Sequence, residues 1–509
     1  MIEDGRLVHY LESEKDNGLR HMWSVTPTLF LRSMQLDDVP DVVAVSGFHR
    51  PGLRGEVVTR LARDSVEGGY FDEGTGGKIS THTLFAGKRI RRFSSSHVRS
   101  HIMCSYGLSP FAQGQPCYAL IWEGHIGSMY YIDEHVVIHK LADVLRGPGA
   151  RYAFMYWLAD PAVPNISEAP GKVMALAAYG RRGKITSVEQ ETIDFILSFD
   201  IFGTEWSKAK FGDNDYFDIG VESQEFKDLA WQFQSALFNR FYNFAKERVT
   251  QKLPLLIGGG CGLNCDWNSQ WKECGLFSDV FVPPCTNDSG VALGAAIDAL
   301  HHYTGNAKVS WSVYSGDTFV EDDVGPGGFA CKTLDHSEVC RSLLNGDVIA
   351  WVQGRYEIGP RALGNRSILA APFSAETRDK LNRIKQREAF RPVAPICLEE
   401  DLGRHFEPDF PSPHMLYFQR VKSRELGAIT HVDGSARGQS VSDAENPEIC
   451  KLLREFRRQS GVGVLCNTSL NFKGSGFINR LSHLLQFAQE RGLEGVVVGS
   501  RYWTSRHST

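Results

Sequence analysis

The sequence lacks the features that would place the protein in a membrane or on nucleic acid. Its 509 residues contain no uninterrupted apolar run of the roughly 18 residues that a membrane-spanning helix needs. The opening stretch, MIEDGRLVHYLESEK, is charged and holds no apolar signal core. Basic residues are not in excess either, because the formal net charge is −5, whereas nucleic-acid-binding domains are usually basic. We therefore expect neither a membrane nor a nucleic acid as a partner.

Closely spaced cysteine pairs are also missing. Eleven cysteines are scattered along the chain without a Cys-x-x-Cys motif, so neither a zinc ribbon nor a disulfide framework is expected. Cys261 and Cys265 are the nearest pair and flank Gly-Leu-Asn. We predict that every cysteine is a small buried apolar side chain. Free thiols are typical of a reducing cytoplasm, where we expect the protein to act.

The patterns that are present predict a mixed α/β protein of two or three domains, because the chain is too long for one ordinary core. Tyr118–Asp133 predicts a strand, a glycine turn and a second strand. Pro254–Gly260 and the start of Asp347–Gly364 predict buried strands, and Ser289–Tyr303 predicts a helix with small residues on one side. The acidic, glycine-rich stretch Gly305–Gly328 predicts the domain boundary, which divides the chain into 1–315 and 330–509.

Two histidines stand four residues apart in SSSHVRSH. On a helix, His97 and His101 lie on one face, so both imidazoles can reach one ion. Val98 stands where a zinc protease has glutamate, which argues against that class. Two ordinary histidines on a helix are the alternative, and only additional carboxylates would favour a metal site. Asp288, at the start of a later predicted helix, is such a carboxylate, but its local sequence alone favours an ordinary N-cap, which is common for aspartate.

A glycine-rich turn follows an apolar strand in IGGGCGLNC, which contains Gly259, Gly260 and Asn264. Exposed backbone N–H groups in such a turn bind anions. The stretch is neither GxGxxG nor a Walker A loop, so it implies no common nucleotide-binding fold. A tight strand-to-helix turn is the alternative.

The C-terminal half concentrates basic and short polar side chains among glycines and prolines, on what we predict to be loops. The basic residues are Arg355, Arg361, Arg366, Lys385, Arg387, Arg391 and Arg437, and the polar ones include Asn467 and Ser469. Arginine forks suit phosphate and carboxylate groups, so this set predicts a polyanionic small substrate such as a nucleoside triphosphate. Ordinary surface charge and a polar hairpin turn are the alternatives.

Taken together, these segments resemble the O-carbamoyltransferase family of antibiotic tailoring and nodulation enzymes. The matching segments are HVRSH, PGKVMALAAYG, GGGCGLNC, NDSGVALGAA, GRYEIGPRALGNRSILA, KQREAFRPVAP, HVDGSARGQSV and CNTSLNFKG. They occur in the family order and cover nearly the whole chain. LESEKD, WEG and the short overall length resemble the cephalosporin hydroxymethyl-carbamoyltransferase branch most.

The resemblance implies two catalytic domains. The N-terminal one would have the actin and sugar-kinase superfold, similar to the tRNA threonylcarbamoyl-transferring proteins, and the C-terminal one would be a YrdC-like α+β domain. The C-terminal domain would make carbamoyl-adenylate from carbamoyl phosphate and ATP. The N-terminal domain would then transfer the carbamoyl group to a hydroxyl of a secondary metabolite at a metal site.

The resemblance also implies the site residues. His97, His101 and Asp288 match the metal ligands, and Glu123 of WEG stands where the family has the aspartate of VDG. Two imidazoles with carboxylates suit Fe(II), Mn(II) or Zn(II) better than Ca(II), and Mg(II) would accompany ATP. Catalysis is assigned to Arg361, Lys385 and Arg391. Carbamoyl phosphate and nucleotide binding is assigned to these three with Arg437, Asn467, Ser469, Gly259, Gly260 and Asn264.

The sequence departs from the family at its start. Family members have a strand and a Gly-His-Asp turn ahead of the IEDGRLV strand, whereas this sequence opens with Met1-Ile2-Glu3-Asp4. We expect the chain as written to lack that strand and turn, and therefore to express poorly or transfer weakly while its C-terminal half stays ordered.

Two other functions remain as alternatives. One is carbamoyl transfer to tRNA adenosine, which the acidic composition opposes. The other is a truncated, non-catalytic relative that binds nucleotide or a partner. The expected small-molecule partners are carbamoyl phosphate, ATP and a hydroxyl acceptor, and the chain itself is a candidate partner in a homodimer. No motif fixes the general base or the acceptor, so cephem, nucleoside, sugar and polyketide hydroxyls all stay open.

Overall fold

The computed structural model describes residues 1–17, 39–47, 69, 78–85, 87–162, 168–201, 208–323 and 328–505. The strands are β1 Ile2–Glu3, β2 Arg6–Leu7, β3 Val42–Ser46, β4 Lys78–Phe85, β5 Lys88–Ser95, β6 Cys117–Trp122, β7 Gly127–Ile132, β8 Ile138–Asp143, β9 Leu255–Gly258, β10 Val280–Phe281, β11 Phe329–Thr333, β12 Ile349–Val352, β13 Arg366–Ala370, β14 Ala394–Leu398, β15 Phe406–Glu407, β16 Gln419–Val421, β17 Ser435–Ala436, β18 Gln439–Val441, β19 Val464–Ser469, β20 Gly495–Val498 and β21 Arg501–Ser505. The helices are α1 Ser13–Asn17, α2 His97–Leu108, α3 Pro148–Ala159, α4 Ala169–Ala177, α5 Ser187–Ser198, α6 Gln224–Arg248, α7 Cys265–Glu273, α8 Val291–Thr304, α9 His336–Leu344, α10 Ala375–Ile384, α11 Leu402–His405, α12 Pro447–Ser460 and α13 Leu481–Arg491.

The N-terminal half is organised around a five-stranded sheet of order β10-β9-β6-β7-β8. The chain first lays down β6, β7 and β8 as antiparallel neighbours and then adds β9 and β10 in parallel on the other side of β6. The predicted strand–turn–strand at Tyr118–Asp133 is confirmed as β6 and β7. The predicted strand at Pro254–Gly260 is confirmed as β9, whose four residues are all buried.

The C-terminal half contains an eight-stranded mixed sheet of order β11-β21-β20-β12-β13-β19-β14-β18. Its strand β12 confirms the strand predicted at the start of Asp347–Gly364. Because side chains alternate along a strand, Ile349 and Trp351 face the core under α9 and α12, whereas Ala350 and Val352 face the core under α10 and α13. The sheet is therefore covered by helices on both faces, and the described residues have the mixed α/β architecture that the sequence predicts.

Helix α2 is fixed at close range against α8. The hydroxyl of Ser96 accepts a hydrogen bond from Arg99 N and caps the first turn. A Cβ on Gly294 of α8 would lie only 1.8 Å from Ser100 O, so the two helices can approach this closely only with glycine there. Arg99 also donates two bonds to Asp298 of α8, at 2.7 and 2.9 Å, and both side chains are buried. The predicted helix at Ser289–Tyr303 is confirmed as α8.

The first residues form a hairpin, so the single strand predicted over IEDGRLV is wrong. β1 pairs with β2 in antiparallel register, with Ile2 opposite Leu7. Asp4 and Gly5 both have positive φ, 46° and 75°. An Asp-Gly pair with this geometry is typical of the two-residue turn that matches strand twist.

The eleven cysteines are free, but two of them are not buried as predicted. Cys331 is exposed because it lies on β11, an edge strand with one buried residue, and Cys274 is half-buried. Among the described residues, no helix is both long and apolar enough to cross a membrane.

Candidate metal centre and basic cluster

Four side chains converge in the N-terminal half, and their nearest nitrogen and oxygen atoms all lie within 4.8 Å of one another. His97 and His101 come from α2, Glu123 follows β6, and Asp288 opens a short 3₁₀ turn before α8. The two Nε2 atoms are 3.2 Å apart. Glu123 Oε2 is 3.0 Å from Nε2 of His97 and 3.3 Å from Nε2 of His101. Asp288 Oδ1 completes the group at 3.6 and 3.4 Å from the same nitrogens.

Gly259 explains how Glu123 reaches this position. Its φ is 95°, and a Cβ there would lie 2.3 Å from Trp122 O. The glycine-rich turn after β9 can therefore pack directly on the backbone that precedes Glu123. The neighbouring Gly260 faces more open space, since no atom of the described residues beyond its chain neighbours lies within 4 Å of where its Cβ would be.

Asp288 does not act as the helix N-cap that the local sequence favours. Gly290 occupies the N-cap of α8, while the Asp288 carboxylate lies beside the two imidazoles. Its side chain is 51% exposed, whereas His97, His101 and Glu123 are buried. The cluster is therefore enclosed on three sides and open at Asp288.

The pKa values of His101 and Glu123 shift in opposite directions because the two side chains interact. Burial lowers the pKa of His101, but hydrogen bonds to Asp288 and Glu123 outweigh it and raise the pKa to about 9. Burial raises the pKa of Glu123, but the two imidazoles outweigh it and hold the pKa well below its ordinary value. In the metal-free protein, the His101 ring therefore keeps a proton beside the ionised Glu123 carboxylate. Two nitrogen and two oxygen donors around one point fit a divalent cation such as Fe(II), Mn(II) or Zn(II) in its place.

The structure also gathers predicted basic residues of the C-terminal half. Burial raises the pKa of the Cys265 thiol, and the charges of Arg437 and Arg361 partly oppose this rise. Both arginines therefore lie near Cys265. Burial, followed by Arg391 and Arg437, lowers the pKa of Arg387 to about 9. We name Arg361, Lys385, Arg387, Arg391 and Arg437 the basic cluster. Cations held this close in a partly buried position favour a bound anion, because an anion offsets their mutual repulsion.

Lys385, which is two residues before Arg387 in sequence, lies beside Ser469. Lys385 Nζ donates to Ser469 O at 2.6 Å and to Asn471 O at 2.8 Å. The Ser469 hydroxyl donates to Asn471 Oδ1 at 2.6 Å. Arg361 reaches the other half of the molecule, where its Nη2 donates to Leu263 O at 3.3 Å.

Several candidate residues hold the fold together through their side chains. Asn467 is 1% exposed and donates to Ala362 O and Gln439 Oε1. Asn264 Oδ1 accepts from two backbone N–H groups at the start of α7. The binding roles of these two residues stay predictions. Arg366 was predicted on a loop, which is wrong: it is a fully buried residue of β13 and donates to backbone carbonyls and to Asn479 Oδ1.

Glu357 is an organising residue that sequence reasoning missed. It is fully buried, and its Oε1 accepts hydrogen bonds from the N–H groups of Leu363, Asn365 and Arg366 at 2.7, 2.7 and 3.1 Å. These bonds close the loop that carries Arg361. The available sequence signal was a single acidic residue within the otherwise basic GRYEIGPRALGNRS.

Comparison with known proteins gives the family. Residues 76–297 match the family described as Carbamoyltransferase N-terminus, and residues 340–505 match Carbamoyltransferase C-terminus. A 3'-hydroxymethylcephem-O-carbamoyltransferase from Amycolatopsis lactamdurans is 47% identical over 509 residues, covering 99% of this chain and 96% of the relative. One with the same description from Streptomyces clavuligerus is 46% identical over 511 residues, with the same coverage. Nodulation protein U of Rhizobium tropici is 33% identical over 554 residues, covering 98% and 95%.

The chain belongs to the carbamoyltransferase family, and it is therefore a carbamoyltransferase. The resemblance drawn from the motifs is confirmed. The four clustered side chains and the residues of the basic cluster remain predicted site residues.

Proposed function

We propose that the protein makes carbamoyl-adenylate from carbamoyl phosphate and ATP and transfers the carbamoyl group to the hydroxyl of a 3'-hydroxymethylcephem. One observation carries the proposal. The metal-ligand cluster and the basic cluster are both intact in a chain that aligns over 99% of its length with two hydroxymethylcephem carbamoyltransferases. This opposes a non-catalytic role. Free cysteines support a cytoplasmic setting for the reaction.

The proposed division of labour follows two domains, residues 1–315 and 330–509. Support for an actin-like N-terminal domain comes from its sheet, in which three antiparallel strands made in succession are extended by two parallel ones beyond the first. Support for a separate, YrdC-like C-terminal domain comes from the mixed sheet with a hydrophobic core on each face.

In the C-terminal domain, the basic cluster would hold carbamoyl phosphate and the triphosphate. Water releases phosphate from carbamoyl phosphate and leaves carbamate. A carbamate oxygen then attacks the α-phosphorus of ATP, and pyrophosphate leaves. Arg361, Lys385 and Arg391 would offset the negative charge that gathers in this step, and preorganised cations do so without further rearrangement.

In the N-terminal domain, the acceptor hydroxyl attacks the carbamoyl carbon, AMP leaves, and the hydroxyl proton passes to a base. His97, His101, Glu123 and Asp288 would hold a divalent metal. When bound, such a metal polarises a carbonyl oxygen and offsets phosphate charge. Because Asp288 lies on the exposed side of the cluster, the acceptor would approach from there.

The test is a reaction of the purified protein with carbamoyl phosphate, ATP, Mg(II), Fe(II) or Mn(II), and a 3'-hydroxymethylcephem, followed by mass spectrometry. We expect a carbamoyl mass gain on the cephem and one pyrophosphate released per product. The matched control is a 3'-methylcephem, which lacks the hydroxyl and should stay unchanged. A gain on another hydroxyl compound or on tRNA, but not on the cephem, contradicts the acceptor. Absence of pyrophosphate release contradicts the adenylate route.

A further inference from the structure

The N-terminal segment 8–17, here called the strap, contacts residues close in sequence to each candidate site. On the side of the metal cluster, the Tyr10 hydroxyl donates to the carbonyl of Ser289, the residue next to Asp288. Tyr10 is only 7% exposed, and its ring belongs to the core that also contains Ile102 and Met103 of α2. The strap is therefore anchored beside the elements that carry three of the four proposed metal ligands.

On the side of the basic cluster, the strap binds one turn of the C-terminal half, residues 357–359, here called the gripped turn. Lys15 Nζ donates to Glu357 O at 2.6 Å and to Gly359 O at 2.7 Å. Glu12 Oε1 accepts from Gly359 N at 2.8 Å and from Lys15 Nζ at 2.7 Å. Lys15 and Glu12 are 4% and 6% exposed, so the whole arrangement is shielded from water.

The gripped turn is also the base of the Arg361 loop. Glu357 closes that loop through its three bonds from backbone N–H groups. Gly359 has a φ of 83°, and a Cβ there would lie 2.2 Å from Pro284 O. Pro284 belongs to the stretch that leads into Asp288. One turn therefore contacts the strap, the Arg361 loop and the segment that carries a proposed metal ligand.

We propose that Tyr10, Glu12 and Lys15 are positioning residues that hold the Arg361 loop and the Asp288 turn in a fixed relation, so that the activated carbamoyl group is transferred before water consumes it. This inference rests on the proposed function. A buried ammonium–carboxylate pair is a costly way to fill space, since apolar side chains of similar volume often stabilise a fold at least as well. What the pair supplies is a defined arrangement of the backbone groups that it binds.

The test measures coupling, defined as pyrophosphate released per carbamoylated acceptor formed. The variants are Lys15→Met, Glu12→Gln and Tyr10→Phe, each of which keeps most of the side-chain volume. We expect a ratio near one for the unaltered protein and a rise of at least about twofold for the variants, as uncoupled carbamoyl-adenylate is hydrolysed. The matched controls are Lys451→Met, in an exposed pair with Glu448, and Tyr502→Phe, in the C-terminal sheet. Both should keep the ratio of the unaltered protein.

A second readout does not depend on activity. Amide hydrogen exchange of Leu363, Asn365 and Arg366 should quicken in Lys15→Met and Glu12→Gln, because these N–H groups are held by the gripped turn, and should not change in Lys451→Met. If product and pyrophosphate fall together with an unchanged ratio, or if exchange in the loop is unaltered, the strap has no positioning role. If the unaltered protein releases no pyrophosphate, the proposed function fails, and loop exchange alone decides whether the strap holds the loop. Tyr10→Phe, which removes one hydroxyl, keeps the coupling test decisive if a charge-removing variant fails to fold.

Discussion

The ring of His101 lies between two carboxylates, and its protonation decides what the cluster can bind. Its pKa is raised to about 9, whereas an unfolded histidine titrates near 6.5. The imidazolium therefore stabilises the metal-free fold fully below about pH 6.5, and this contribution is lost as the pH rises towards about 9. Metal binding has the opposite dependence, because a ligating imidazole must be neutral and its proton must leave.

We therefore expect the affinity for Mn(II) or Zn(II) to rise with pH between about 6 and 9, by up to about tenfold per pH unit for each proton released. Calorimetric titration in buffers of different ionisation enthalpy would count the protons. The control is His139→Gln, because His139 is half-exposed and pairs with Asp133 away from the cluster. An affinity that stays flat over this range would contradict the assignment of His101 as a ligand.

Among single residues, the sequence predicted those whose signal is local. His97 and His101 follow from helical periodicity, because residues four apart share a face. The local sequence around Asp288 favoured an N-cap role, which is wrong. Local sequence preferences contain no information about the two imidazoles, which come from a distant part of the chain. Glu123 was reached only by resemblance. Lys15 and Glu357 were missed because their contact spans 342 residues, and no local pattern reports such a separation.

At the scale of elements, the proposed metal centre depends on how α2 packs against α8. Arg99 and Asp298 join the two helices through a buried bidentate pair, and Ser95 adds a hydrogen bond to the same carboxylate. Replacing Asp298 would leave the Arg99 guanidinium buried without its acceptor. Because α2 carries both imidazoles, a shift of this helix would also displace two proposed ligands at once.

We expect Asp298→Ala to lower the free energy of unfolding by about 3–5 kcal/mol, as removal of one partner of a buried ion pair does. Urea denaturation would measure the loss, and Mn(II) titration of the folded variant should show weakened binding. Glu448→Ala is the matched control, because Glu448 pairs with Lys451 on the surface and should contribute no more than about 1 kcal/mol. Equal losses in the two variants would argue against a special role for the α2–α8 contact.

Elements with a strong local sequence pattern were predicted correctly. The opening segment, whose local signals compete, was not. β6, β7 and β9 follow from short apolar runs bounded by glycine, and α8 from small residues that permit close packing. The opening segment was assigned as one strand, although Asp4-Gly5 carries the signal of a hairpin turn. The order of strands in the sheet could not be predicted from local patterns, because β6 pairs with β9, a strand more than a hundred residues away in sequence.

At the scale of the whole molecule, the two proposed reactions should separate by domain. His97→Ala should spare pyrophosphate release and abolish transfer to the acceptor. Arg361→Met or Lys385→Met should lower pyrophosphate release about 100-fold or more, since each removes a cation from the site of charge build-up. Pyrophosphate assays and mass spectrometry of the cephem would follow the two steps separately.

Lys451→Met, which removes an exposed lysine of α12, is the control for loss of positive charge. Loss of both steps in a folded His97→Ala protein would count against the division. Retention of pyrophosphate release in both basic-cluster variants would move the adenylating site elsewhere.

During synthesis on the ribosome, the strap is made long before the residues that it binds. Tyr10 can bind Ser289 only after a further 279 residues have been synthesised. Lys15 can bind Gly359 only after synthesis of the 344 residues that separate the two. At about 5–20 residues per second, the second interval is roughly 20–70 s. Throughout that time the strap has no docking surface. The yield of correctly docked protein should therefore depend on chaperone supply and on the temperature of expression.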